Sequence, residues 1–93
     1  MDTYVCHKKV KAAKVVGEYE RITGSGLTHI EGVWIKGSTE YAAELKFFPP
    51  EHVARLISSR QTGGFVGGYW VEYEDGYVSW SPAKAFEDGY TKV

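Results

Sequence analysis

Five carboxylates, Glu72, Glu74, Asp75, Glu87 and Asp88, crowd the sequence around Tyr77. Paired carboxylates perform acid–base work when one of them is desolvated enough to hold its proton. Glu72 and Glu74 alternate along a stretch that reads as a strand, on the side expected to face water, where both stay ionised. His7, His29 and His52 are not spaced with one another, or with a cysteine or carboxylate, in a metal-ligand pattern. Cys6 is the single cysteine. It forbids an internal disulfide, sits in no nucleophile–base constellation, and reads as a small packed apolar residue. Gly63-Gly64-Phe65-Val66-Gly67-Gly68 has the glycine density of a phosphate cradle, but it leads into a strand instead of opening a helix. The chain therefore reads as non-enzymatic, with no catalytic residue, metal site or cofactor.

Binding is the better supported chemistry. Trp70 and Tyr77 are expected on the outward face of one β-hairpin, as the large amphipathic rings that dominate interface hot spots. Glu72 and Glu74 flank them and suit a basic partner surface, or exclude wrong partners. Trp34, Arg60 and Phe65 are secondary contact candidates, Phe65 because it rides with Val66 on a glycine-rich connector. The expected partner is a protein or protein complex. Eleven basic against twelve acidic residues leave a net charge of −1, and the acidic flank repels phosphates, which argues against nucleic acid. His7, Lys8, Lys9, Lys11 and Lys14 make the N-terminal region basic while residues 72–88 lean acidic. That asymmetry reads either as two solvated faces or as a bipolar surface for head-to-tail association. No apolar run reaches membrane-span length and no signal peptide is visible. With a single cysteine, this points to a reducing cytoplasm.

The elements that carry these residues follow from turn chemistry and periodicity. Asp75-Gly76 between two aromatic runs suggests a type I′ turn. That turn pairs Tyr73 with Val78, Glu72 with Ser79 and Val71 with Trp80. Tyr69, Val71, Tyr73, Val78 and Trp80 then form the core face, and Trp70, Glu72, Glu74, Tyr77 and Ser79 the open one. Ser81 suits an N-cap, Pro82 a first helical position and Gly89 a C-terminal cap, giving a helix over 82–88 whose Phe86 must pack on the hairpin. Earlier, residues 4–16 suggest a strand with Val10 and Ala12 on one face and Lys9 and Lys11 on the other, continued by 19–22 after a bend at Gly17. A second hairpin turning at Gly37-Ser38 pairs Lys36 with Thr39 and Trp34 with Tyr41. It gathers Ile30, Gly32, Trp34, Tyr41, Ala43, Leu45 and Phe47 on one face, against Glu31, Glu40, Glu44 and Lys46, with Val33 and Ile35 as exceptions. Pro49-Pro50 ends that strand and starts a helix lined by Val53, Leu56 and Ile57, with a Glu51–Arg55 pair outside. Residues 58–68 read as a flexible connector. The sum, in 93 residues, is a single α+β domain over 1–93: a four- to five-stranded, mostly antiparallel sheet with two short helices. Exposed strand edges would allow a symmetric dimer.

The block Asp75-Gly76-Tyr77-Val78-Ser79-Trp80-Ser81-Pro82, with Phe86-Glu87 and Tyr90, resembles the C-terminal end of small, mostly uncharacterised proteins of tailed phages and prophages. Tyr4-Val5 and Lys9-Val10-Lys11-Ala12 resemble their short basic-hydrophobic first strand. The resemblance covers about a third of the chain; residues 23–67 depart from the shorter form. It implies a phage-encoded accessory protein that acts by stoichiometric binding, inhibiting or sequestering a host factor such as a defence system. It transfers no catalytic residue. Val71-Glu72-Tyr73-Glu74-Asp75-Gly76 followed by Trp80 is also similar to a hairpin of Tudor-type SH3-like barrels, whose aromatic cages hold methylated basic side chains. The alternative reading is a small module recognising a nucleotide-type signal or a modified peptide through an aromatic surface.

Overall fold

A computed structural model describes residues 1–6, 8–37, 42–60 and 64–92. Over these described residues it is an α+β domain built on a seven-stranded antiparallel sheet. The strands are β1 (Asp2–Val5), β2 (Lys9–Ile22), β3 (Thr28–Lys36), β4 (Ala43–Phe47), β5 (Tyr69–Tyr73), β6 (Val78–Ser81) and β7 (Thr91–Lys92). Helix α1 (Val53–Ser59) follows a 3-10 turn at Pro50–His52, and α2 (Ala83–Gly89) follows β6. The class is the one expected from the sequence. The strand count is higher because the N-terminal stretch breaks into two strands and the C-terminus adds a third short one.

β2 organises the sheet. Its 14 residues extend about 45 Å at ~3.3 Å per residue, comparable to the longest dimension of the molecule, 45 Å. Residues 9–14 pair with β1 and β5, and residues 15–22 with β3. The register shifts between Val15 and Gly17, so the bend expected at Gly17 is a β-bulge inside one continuous strand. Cys6 lies exposed beyond the end of β1; it is not a packed residue. His7 lies outside the described residues.

Adjacent residues on β2 and β5 point to opposite faces, and both faces are covered. Ala13, Val15, Val33, Ile35, Trp70, Val78 and Trp80 form one core with Phe48, Leu56 of α1 and Phe65. Val10, Ala12, Tyr69 and Val71 form the second, closed by Phe86 of α2. Phe86 stacks on Tyr69 (4.4 Å between centroids) and Tyr90 (4.6 Å) and meets Tyr4 edge-on (4.8 Å). The packing demanded of Phe86 is met. The caps differ: Ser81 remains in β6, α2 has no side-chain cap, and Gly89 is its last residue.

The C-terminal hairpin closes one residue out of the expected register. Tyr73 N–H donates to Tyr77 O (2.8 Å) and Gly76 N–H to Tyr73 O (3.1 Å). Gly76 alone in the turn has positive φ, +88°, and no non-glycine among the described residues does. This is a three-residue loop ending in a left-handed glycine, not a type I′ turn. Trp70 therefore pairs with Trp80, and Val71 with Ser79. A one-residue slip exchanges the faces of a strand relative to its partner.

The second hairpin pairs Trp34 with Leu45 and Lys36 with Ala43, four residues beyond the expected register; Ser38, Thr39, Glu40 and Tyr41 lie outside the described residues. An even slip preserves the faces, so Gly32, Trp34, Ala43, Leu45 and Phe47 still share one. The buried side is nevertheless the other, where Val33 and Ile35 are fully enclosed. Ile30 leaves the shared face across a second register shift and packs against the core.

Candidate functional site

Trp70 is 2% exposed. Its indole stacks on Phe48 (6.0 Å, 10° between planes), and its Nε1–H donates to Glu72 Oε2 at 2.8 Å. The same carboxylate oxygen meets Lys46 Nζ at 3.2 Å. The slipped register turns Trp70 inward, so the outward ring expected there is absent, and Glu72 serves as a half-buried structural acceptor. Burial works to lower the Lys46 pKa, but hydrogen bonds and charge from Glu72 and Glu44 outweigh it and hold the ammonium above its ordinary value.

Phe65 is also enclosed. Its N–H donates to Glu18 Oε2 (2.8 Å), and its carbonyl accepts from Trp80 Nε1 (2.9 Å). Gly67 and Gly68 bond to the Val15 backbone. The second half of the connector is thus pinned to β2, and Phe65 is a core residue instead of a docking ring. Arg60 is exposed, its guanidinium 5.8 Å from the Phe65 centroid. Gln61, Thr62 and Gly63 lie outside the described residues.

Tyr77 is 39% exposed. It packs between His52 (5.3 Å) and Tyr73 (5.4 Å), with the Arg55 guanidinium 4.3 Å from its ring centre. Arg55 also donates to the Val78 carbonyl. It turns toward the hairpin, so no Glu51–Arg55 pair forms. Glu74 is exposed beside the turn.

Two exposed aromatic rings share the outer face of β2–β3–β4. Trp34 is 37% and Phe47 59% exposed. Register places Gly17 opposite Trp34, Tyr19 opposite Gly32, and Gly32 opposite Phe47. Two glycines set the relief. A Cβ on Gly17 would sit 3.5 Å from Trp34 Cδ1, so the indole lies over bare backbone. Tyr19 meets Phe47 edge-on at 5.5 Å, and Leu45 lies opposite Trp34. Arg21 and Glu31 pair at 3.0 Å toward the tip of the same strands. Among the aromatic contacts of the described residues, none joins this surface to the Tyr77 group.

Of the seven residues singled out from sequence, the structure brings Trp70 and Glu72 together and leaves Tyr77, Trp34, Glu74 and Arg60 at the surface. Tyr19, Leu45 and Phe47, which share the outer face with Trp34, were not singled out. The alternation Leu45–Phe47 was visible, but it reads equally as a core face. Among the described residues no group of three or more His, Cys, Asp or Glu is placed to hold a metal. No helix there is long and apolar enough to cross a membrane. No protein-family model, curated protein or solved structure matches the chain.

Proposed function

We propose that this chain is a phage- or prophage-encoded accessory protein that acts by stoichiometric, non-catalytic binding to a host protein or complex in the host cytoplasm, with a defence factor as the target class. The phage origin rests on the resemblance of the Asp75–Pro82 block. The binding reading rests on one observation: Tyr19, Trp34, Leu45 and Phe47 stand together on the outside of a sheet whose inner face is already sealed by Val33 and Ile35. A small domain gains nothing in stability by presenting such rings to water, and contiguous exposed apolar surface marks interaction sites. The Tudor-like alternative is less favoured, because the Tyr77 ring already carries the chain's own Arg55 cation.

The test is quantitative capture from host lysate with the wild type and a Trp34→Ala/Phe47→Ser variant, each checked for folding by circular dichroism. The wild type is expected to retain a partner in fixed molar ratio and the folded variant to lose it. Equal capture by both would refute this surface. Saturable quenching of tryptophan fluorescence by a nucleotide, with no captured protein, would establish the small-ligand module instead.

A further inference from the structure

The geometry points to β4 as a self-complementary edge through which two copies of this chain join antiparallel about a two-fold axis at Leu45. β4 ends the strand order β4-β3-β2-β1-β7, with β3 as its only partner among the described residues. Its other edge can be assigned from the hydrogen bonds at the two ends of the hairpin. Gly37 N–H donates to Ala42 O (2.8 Å) and Phe48 N–H to Glu31 O (2.9 Å). Antiparallel ladders alternate bonded and non-bonded pairs, so residues 42, 44, 46 and 48 turn their backbone groups toward β3. Ala43, Leu45 and Phe47 turn theirs away.

A second β4 placed antiparallel with Leu45 opposite Leu45 satisfies those groups reciprocally. Ala43 then faces the partner's Phe47 in a small-to-large match on the outer side of the sheet. Glu44 faces the partner's Lys46, and Lys46 the partner's Glu44. These are the non-hydrogen-bonded positions, where opposed side chains come closest, and opposite charges directly across a pair of strands are stabilising. The sequence Ala-Glu-Leu-Lys-Phe thus matches its own reverse in charge and in bulk. Glu44 is largely exposed while bonded to Lys46 at 3.3 Å, so it is available to bridge two lysines. The other edges are less inviting: Arg55 already takes the Val78 carbonyl of β6, and β7 has two residues. The pairing brings two copies of the Trp34–Leu45 row together on one continuous outer face. It does not depend on the identity of any host partner.

Sedimentation over a wide concentration range and cysteine cross-linking test this directly. In a Cys6→Ser background, Leu45→Cys places two thiols across the axis within disulfide reach, whereas Ala43→Cys, facing the partner's Phe47, does not. The expected results are a reversible monomer–dimer equilibrium, rapid oxidative cross-linking of Leu45→Cys, and slow or absent cross-linking of Ala43→Cys. Glu44→Lys sets like charges across both pairs and is expected to weaken dimerisation about ten-fold. Leu45→Pro removes only the outward donor, which edge strands tolerate, and should abolish the dimer while the fold persists. A wild type that stays monomeric at millimolar concentration, or cross-linking of Ala43→Cys as fast as Leu45→Cys, would overturn the proposal even if Leu45→Pro failed to fold.

Discussion

The Tyr69 hydroxyl donates to Glu87 Oε2 at 2.7 Å. That bond, followed by burial and by the carboxylate's charge, pushes its pKa up to about 12. Tyr90 also lies at about 12, chiefly through burial and then through hydrogen bonding with Tyr73. An unfolded tyrosine titrates near 10, so the folded state favours the neutral phenol. The stability that follows is complete below about pH 10 and drains away as pH rises toward 12. Denaturant unfolding across that window should show a steep loss of stability, and Tyr69→Phe should flatten it. An unchanged slope in Tyr69→Phe would mean that the Glu87 bond does not form. Tryptophans give a second contrast. Trp70→Ala should cost about 3–5 kcal/mol, as for other large-to-small core changes, and Trp34→Ala about 1 kcal/mol or less. Thermal melts of the two variants decide between an enclosed and an exposed indole. From sequence the local surroundings of these two rings look alike, since each sits between two apolar neighbours, Tyr69 and Val71 or Val33 and Ile35. Only the strand register separates them, and register is a property of the turn.

That turn shows what was legible in the elements and what was not. Asp-Gly between two aromatic runs announced the hairpin correctly. It did not announce the loop length, because a two-residue and a three-residue loop both place glycine at a left-handed position. Asp75 does not have positive φ, and its Oδ1 accepts from the Tyr77 N–H at 3.0 Å. Asp75→Gly should therefore destabilise the domain by about 1 kcal/mol, through loss of that bond and added freedom of the unfolded chain. In a type I′ turn the same change would relieve strain and stabilise. Gly76→Ala should cost about 1–2 kcal/mol, because it forces a Cβ into the left-handed region. Chemical denaturation of both variants tests the loop. Helices were legible through proline and the spacing of their apolar residues, but their caps were not, since a serine before proline serves equally well as the last residue of a strand.

The largest difference between expectation and structure concerns the whole molecule, where one core was expected and two are present. The signal was in the sequence: Ala12-Ala13 and Tyr69-Trp70-Val71 are unbroken apolar runs, which mark strands buried on both faces. Alternation along β5 holds, but both of its faces are covered, so Trp70 is enclosed as fully as Val71. The two cores share β2 and β5 as a common wall, with Ala13, Val15 and Trp70 on one side and Val10, Ala12, Tyr69 and Val71 on the other. Neither wall residue can lose its strand without exposing its neighbour's core, so the domain should unfold in one cooperative step. The tryptophans provide an unusually clean check, because Trp70 and Trp80 belong to the α1 core and no tryptophan belongs to the α2 core. Phe86→Ala, made in the α2 core, should cost about 3–5 kcal/mol and shift the denaturation midpoint seen by tryptophan fluorescence as far as the one seen by far-UV circular dichroism. Fluorescence that kept its wild-type midpoint while the dichroism moved would mean that the cores melt separately. The shared wall would then not couple them.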